Sequence, residues 1–386
     1  MPAPPAFAIT PPGAIEFGEG ALKTLPAAVH ALGKSRTFIV TDPGIKACGI
    51  LGQVCRVLDA ARISHEVFAA VEPNPSLATI DRAATVARSI GDAVVVAVGG
   101  GSSLDAAKGI ALGAVNGGSV GSFDYSEEHP SAGLPVIAIP TTAGTGAETN
   151  GFGVIEDTAA HCKVYIGDAS VTPRFCILDP SLTLGLPSAV TAATGVDALV
   201  HAIESLTSRS RNAVSEAYAH HAVKLVHTWL PTAVQDGSNA EARGEMLLGA
   251  HLAGLALSVS GLGLVHGIAH AVTAHTGTVH GVALASVLED VLVFNLPVST
   301  AEYAAVAFDL GVGATSSDET TNARATIAAS RTLVEQVNTY RPLHELGCSE
   351  QMIPTLVQTA MADPVTRNTP RIPTDTELTA LLAAAL

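Results

Sequence analysis

Residues 93–114 read AVVVAVGGGSSLDAAKGIALGA. Six apolar residues without a polar break predict a strand covered on both faces. Gly99-Gly100-Gly101-Ser102 follows, and the pattern over 103–114 turns helical. Strand, glycine turn and helix in that order build a phosphate cradle. Glycines let backbone N–H groups come close to an anion, and the helix N-terminus favours its charge. The turn is not the GxGxxG fingerprint, and alone it reads equally well as a tight bend. The strand before it and the helix behind it favour the cradle.

The same alternation extends outward. Residues 37–41 (TFIVT) and 66–71 read as strands, 45–61 and 77–90 as helices, and 135–140 (PVIAIP) as a further apolar strand. This spacing predicts a parallel sheet with helices on both faces. Asp42, at the end of the first strand, suits hydrogen bonds from an adenosine ribose hydroxyl and repels the extra phosphate of NADP. Its other reading is the cap of a helix after Pro43. The loop PTTAGTGAE (140–148) is polar and glycine-containing, at a strand's C-terminal end, where open α/β sheets place ligands. An ordinary turn closed by threonine hydroxyls also accounts for it. Two such loops after two neighbouring strands point together to a dinucleotide.

Beyond about residue 181 the pattern becomes helical, over 187–206, 213–230, 240–258, 262–274, 282–294, 301–310 and 321–337. Asp179-Pro180-Ser181 breaks the chain. The expected organisation is an α/β dinucleotide-binding domain over 1–181 and an all-helical domain over 182–386.

A chain of 386 residues exceeds one ordinary core, which agrees with two domains. Hydrophobic residues make up 48% and aromatics only 4%, so the core is aliphatic. A formal net charge of −15 argues against nucleic acid and anionic lipid as partners. The opening MPAPPAFAITPPG has no basic region followed by an apolar one, and the apolar stretch 253–265 is too short to span a bilayer. Cys48, Cys55, Cys162, Cys176 and Cys348 form no CxxC pair and are odd in number, which predicts reduced thiols and no thiolate metal site. The expected location is cytoplasmic.

Asp197 and His201 in GVDALVHAIES share a helix face at i, i+4, and His266 and His270 in GLVHGIAH repeat the spacing. His280 follows in VHGVAL. These groups interrupt apolar helices, where an imidazole or carboxylate is costly unless paired or ligated. A carboxylate with imidazoles suits Fe²⁺ or Zn²⁺ better than Mg²⁺ or Ca²⁺. A single histidine in such a setting reads first as a satisfied core residue. Of the fourteen histidines, His30, His65, His129, His161, His220, His221, His227, His251 and His344 keep that reading, and His275 reads as structural.

With these motifs in place, the sequence resembles the iron-containing (group III) alcohol dehydrogenases, of the dehydroquinate-synthase-like fold. TDPG (41–44), EPNP (72–75), GGGSSLDAAKGIAL (99–112), IPTTAGTGAE (139–148) and LDPSLTLGLP (178–187) carry the likeness, which runs from about Pro12 to the C-terminus. TAATGVDALVHAIE (191–204), GLGLVHGIAHAV (261–272) and HG (280–281) are its most specific parts. The resemblance implies a metal-dependent oxidoreductase that moves a hydride between NAD and a small alcohol or aldehyde, working as a homo-oligomer, a dimer. It implies Asp197, His201, His266 and His280 as ligands of one divalent metal, Fe²⁺ first and Zn²⁺ as the alternative. It places His270 near nicotinamide and substrate. It places Asp42 at the adenosine ribose. Asn74, Gly100, Gly101, Ser102 and Asp105 would lie around ribose and pyrophosphate, and Thr141, Thr142, Thr145, Lys163 and Leu182 along the rest of the cofactor.

By the same resemblance, Phe152, Leu257, Val259 and Val365 fall near the alcohol's carbon chain. All four are apolar, which disfavours 1,2-diols, and Gly151 and Gly153 are expected to leave space beside Phe152. Ala147 stands where the family often has Ser, Val279 where Pro is usual, and Phe152 where diol-reducing members carry a polar residue. Alternatives are a maleylacetate-reductase-like enzyme, which Asp197 opposes, and a carbohydrate-phosphate lyase using NAD, which the scarcity of Lys and Arg near the histidines opposes. A non-catalytic metal-binding protein is the third.

Overall fold

The structure is a computed structural model that describes Phe7, residues 13–160 and residues 162–386. The expectations for His161 and for most of MPAPPAFAITPPG fall outside the described residues. The chain divides into two units, one Pro11–Leu186 and the other holding Pro187–Leu386.

The first unit is built on a parallel sheet of six strands: β1 (Ala14–Phe17), β2 (Arg36–Val40), β3 (Ser64–Phe68), β4 (Val94–Gly99), β5 (Val136–Pro140) and, after a hairpin, β8 (Phe175–Leu178). Their spatial order is β1-β8-β5-β4-β2-β3. The unbroken apolar run of β4 has a direct cause. Val95 and Ala97 enter one core, with Ile80, Leu104 and Ile110, while Val94, Val96 and Val98 enter the opposite core, with Leu25, Val54 and Leu58. Both faces are covered, so neither alternate position is polar. One core is lined by α4 (Leu77–Ile90) and α5 (Gly101–Asn116), the other by α1 (Leu25–Ala31) and α3 (Ile50–Ala60).

The helix expected over 45–61 is two helices, α2 (Pro43–Ala47) and α3, because Gly49 takes a left-handed φ of 86° between them. Four strands escaped the reading. β1 is short and mostly exposed, and β8 has only four residues. β6 (Phe152–Asp157) and β7 (Cys162–Gly167) form an antiparallel hairpin with mixed burial, so no clean alternation marks them.

The second unit is helical: α6 (Ser188–Thr207), α7 (Ala213–Gln235), α8 (Ala240–Ser260), α9 (Leu264–Thr276), α10 (His280–Asn295), α11 (Thr300–Asp309), α12 (Glu319–Gln336), α13 (Ile353–Ala362) and α14 (Asp375–Ala385). The last two were not anticipated. α6 is buried over nearly all its length and packs against α7, α8 and α10, which explains its apolar surroundings on every side. The segment His280–Val298 is long and apolar enough to cross a membrane by length and composition, but 56% of its 18-residue apolar window is buried, as in the core helix of a soluble protein. The five cysteines are free thiols, two of them, Cys176 and Cys348, buried.

Candidate metal centre and cofactor loops

Asp197 and His201 lie one turn apart on α6, His266 and His270 one turn apart on α9, and His280 opens α10. Packing of the three helices brings His201, His266 and His280 to a single oxygen of Asp197. Asp197 Oδ1 is 3.2 Å from His201 Nε2, 3.4 Å from His266 Nε2 and 3.7 Å from His280 Nε2. The rings of His201 and His266 stack at 4.8 Å, and those of His270 and His280 at 5.3 Å. The glycine after His280 makes this approach feasible: a Cβ at Gly281 would stand 2.0 Å from the Ala193 carbonyl of α6. Val279, in place of the usual proline, still has φ −60°, the angle a proline ring would impose.

Asp197 Oδ1 and His266 Nε2 are buried and have no hydrogen-bond partner within the protein. Buried polar atoms left so are rare and costly. Ligand atoms of Asp197, His201 and His266 lie within 4.8 Å of one another, and the set of one carboxylate and imidazole nitrogens fits a divalent ion such as Fe²⁺ or Zn²⁺. Burial alone would raise the Asp197 carboxyl, but the imidazoles of His201, His266 and His280 outweigh it and hold the group well below the usual carboxylate range. Burial opposes a charge on His266, yet the carboxylates of Asp197 and Glu204 push its pKa up to about 9. His280 moves the other way. Desolvation and the neighbouring imidazoles drive it well below the usual range, against the pull of Asp197.

Two carboxylates behind the histidines were not anticipated. His266 Nδ1 meets Glu204 Oε2 at 2.7 Å, and His270 Nδ1 meets Asp363 Oδ2 at 2.8 Å. Asp363 Oδ1 in turn accepts from the Val365 N–H at 3.0 Å. Burial raises the Asp363 carboxyl, but the bond and charge of His270 bring it below its ordinary value. Glu204 had a signal in the sequence, since it lies on the face of Asp197 and His201, one turn further along α6. Asp363 had none, because its contact with His270 spans 93 residues.

In the first unit the register Ala97↔Ala138 and Gly99↔Pro140 ends β4 and β5 side by side, and the Thr141 N–H donates to the Gly99 carbonyl at 3.0 Å. The two loops therefore face each other. A Cβ at Gly101 would lie 2.8 Å from Thr145 Cγ2, so only glycine fits the turn as built. Gly100 caps α5 and faces Thr142, with Ser102 in the first turn of α5. Thr145 Oγ1 accepts from the N–H of Ala147 at 3.4 Å.

Asp42 caps α2: Oδ1 accepts from the Ile45 N–H at 3.0 Å and Oδ2 from the Ser103 hydroxyl at 3.2 Å. Asn74, with a left-handed φ of 50°, accepts from Lys163 Nζ at 3.0 Å. Burial draws the Lys163 ammonium down from its ordinary value, against Glu156 and Asp105. Leu182 is buried in the core shared by α1 and α3. Asp105 belongs to a buried network: Oδ1 accepts from Lys108 Nζ at 3.2 Å and Oδ2 from the Val154 N–H at 3.1 Å.

Phe152, in the first unit, packs against Tyr125 at 5.1 Å and Tyr165 at 5.9 Å, ring to ring. The expectation of free space beside it is corrected. A Cβ at Gly151 would lie 2.2 Å from the Asp168 carbonyl and one at Gly153 2.6 Å from that of Asp105, so both glycines admit neighbouring backbone. In the second unit Leu257 is buried on α8, Val259 is half-buried beside it, and Val365 is half-buried in the turn that follows Asp363. The reading of the remaining histidines as core residues is corrected too. Among the described ones, only His251 is buried; His30, His221 and His344 are exposed, and His65, His129, His220 and His227 are intermediate, with His129 bonded to the Gly167 carbonyl at 3.1 Å and His220 to the Asp309 carboxylate at 2.5 Å. His275 is exposed and bonds Thr359 Oγ1 at 3.0 Å.

A family model described as iron-containing alcohol dehydrogenase matches residues 12–180, and one described as Fe-containing alcohol dehydrogenase family, C-terminal, matches residues 191–386. Alcohol dehydrogenase 4 of Schizosaccharomyces pombe is 35% identical over 372 residues, 96% of this chain and 87% of its own. The NAD-dependent methanol dehydrogenase of Bacillus methanolicus is 33% identical over 376 residues, 97% of this chain and 98% of its own. A crystal structure of 1,3-propanediol oxidoreductase is similar with a TM-score of 0.95 at 33% identity, covering 99% of this chain and 100% of that one. Matched in both halves by the family's models, and over nearly its whole length by these relatives, the chain belongs to the iron-containing alcohol dehydrogenase family of oxidoreductases.

Proposed function

We propose that the chain is an NAD(H)-dependent dehydrogenase of small primary alcohols, and the reductase of the matching aldehydes, with one divalent ion held by Asp197, His201, His266 and His280. The observation that carries this reading is the approach of three imidazole nitrogens to Asp197 Oδ1 at 3.2, 3.4 and 3.7 Å. A bound divalent ion supplies Lewis acidity, which lowers the pKa of an alcohol oxygen or polarises an aldehyde carbonyl. His270 handles the proton. Its Nδ1–H is committed to Asp363, so Nε2 is the atom that takes a proton from the alcohol side and returns it in the reverse direction. NAD, the hydride acceptor, lies with its pyrophosphate at Gly100, Gly101 and Ser102 and its adenosine ribose at Asp42 in this reading. α6, α9 and α10 carry no Lys or Arg, so these three helices offer no lysine or arginine to anchor a substrate phosphate, which speaks against a phosphate lyase.

The first test is cofactor choice. Asp42→Gly is expected to narrow a preference for NAD over NADP by about ten- to a hundred-fold, the worth of one charged hydrogen bond of about 1.5–3 kcal/mol. The measurement is kcat/KM with each cofactor. A wild type that uses both equally leaves Asp42 as the helix cap alone.

The second test is the alcohol. Apolar Phe152, Leu257, Val259 and Val365 give no partner to a second hydroxyl. Among butanol, hexanol, benzyl alcohol and 1,2-propanediol, the diol is expected to have the lowest kcat/KM, with a gain of about 0.8 kcal/mol per buried methylene. Phe152→Asn is expected to move the ratio toward the diol. A wild type that favours propanediol refutes this choice of substrate and leaves the dehydrogenase reading standing.

A further inference from the structure

We infer that Glu204 is a positioning residue that sets the tautomer and the aim of His266 toward the divalent ion. The inference rests on the reading of His266 as a ligand.

Three donors converge on the Glu204 carboxylate. The Val265 N–H reaches Oε1 at 2.7 Å, the Gly263 N–H reaches Oε2 at 3.0 Å, and His266 Nδ1 reaches Oε2 at 2.7 Å. Gly263 is the N-cap of α9, and Val265 and His266 lie in its first turn. Glu204 is 5% exposed and lies on α6, as do Asp197 and His201. One side chain therefore ties the start of α9 to the helix that carries two of the other ligands.

An ionised carboxylate only accepts hydrogen bonds, so a neutral His266 facing it carries its proton on Nδ1. The lone pair then belongs to Nε2, the atom that points at Asp197 Oδ1 at 3.4 Å. A ligating histidine whose other nitrogen donates to a carboxylate is fixed in ring orientation and made more basic. Close packing supports the arrangement: a Cβ at Gly263 would stand 3.0 Å from Glu204 Oε1, so the carboxylate is pressed against the backbone that it bonds.

A glutamine keeps the shape but has one acceptor oxygen for three donors. With that oxygen placed toward Val265, the amide NH₂ faces His266 Nδ1. Nδ1 then becomes the acceptor, and the proton moves to Nε2, where it blocks coordination. With the oxygen placed toward His266, the Val265 N–H is left facing a donor. Either arrangement costs metal affinity.

The experiment uses the full chain, stripped of metal by chelator and titrated with Co²⁺, whose visible absorption reports the ligand set. Wild type, Glu204→Gln and His266→Ala are compared, with far-UV circular dichroism and NAD binding as controls of the fold. Glu204→Gln is expected to weaken Co²⁺ binding by about 10- to 100-fold and to alter the visible band, with both controls unchanged. If Glu204→Gln does not fold, Glu204→Asp takes its place: it keeps the charge, withdraws the oxygens by one methylene, and is expected to lose affinity in the same range. Wild-type Co²⁺ affinity in a folded Glu204 variant, with binding lost in His266→Ala, overturns this inference alone. Wild-type affinity in His266→Ala overturns it together with the reading on which it rests.

Discussion

Replacing His266 or His280 by alanine is expected to release the divalent ion and lower turnover by about 10³-fold or more, while NAD affinity stays near wild type. The size follows from what is lost. Lewis-acid stabilisation supplies several kcal/mol, and each 1.4 kcal/mol is a factor of about ten. His266 supplies the nitrogen 3.4 Å from Asp197 Oδ1, and His280 the one at 3.7 Å. Asp42, Gly100 and Gly101 belong to the other unit, at the starts of α2 and α5. Elemental analysis, NADH absorbance and fluorescence titration of NAD measure the three quantities. Full metal content in both variants sinks the ligand assignment. Zinc binds such a site more tightly than ferrous iron, so purified protein holding zinc agrees with either native metal.

Lys108→Met is expected to destabilise the α/β unit by about 3–5 kcal/mol, the cost of stranding one half of a buried ion pair. Lys108 is fully buried on α5, yet Nζ donates to Asn150 Oδ1 at 2.8 Å, to the Phe152 carbonyl at 2.6 Å and to Asp105 Oδ1 at 3.2 Å. Asp105 Oδ2 accepts from the Val154 N–H, so the pair clamps β6 to α5. Methionine fills the volume and satisfies none of these acceptors. Urea unfolding followed by circular dichroism measures the loss, and hydrogen exchange at β6 and α5 locates it. A shift worth under about 1 kcal/mol rules out the clamp.

The effect has a pH dependence of known sign. Burial already raises the Asp105 carboxyl above its ordinary value, against Lys108 and the Val154 N–H. Without Lys108 the folded pKa rises further above the unfolded one. The folded variant then binds the extra proton, so its stability falls as pH rises between those two values and its deficit shrinks in acid.

Local rules read well where a segment has a single environment. β4 is apolar at every position because both faces are covered, and α4 has the expected bounds, 77–90, with Ser76 capping it through the Thr79 N–H. Local rules failed where neighbours decide. β6 and β7 gain strand structure from pairing with each other, register Phe152↔Gly167 to Asp157↔Cys162, and no alternation announces it. Gly151 and Gly153 illustrate the same limit. Their sequence suggests room, while the fold fills that room with the carbonyls of Asp168 and Asp105.

The chain's own pattern determined the alternation that makes a parallel sheet, the two polar glycine-containing loops, and the pairs Asp197/His201 and His266/His270, because strand and helix periods are local properties of the backbone. Only the tertiary structure decided that α9 and α10 bring His266 and His280 to the Asp197 oxygen that His201 faces, that Glu204 and Asp363 stand behind two of the histidines, and that Lys108 is buried among acceptors. These contacts join residues 42 to 93 positions apart. At such separations a contact is set by packing of whole helices and by the need to satisfy every buried polar atom, which no local spacing encodes.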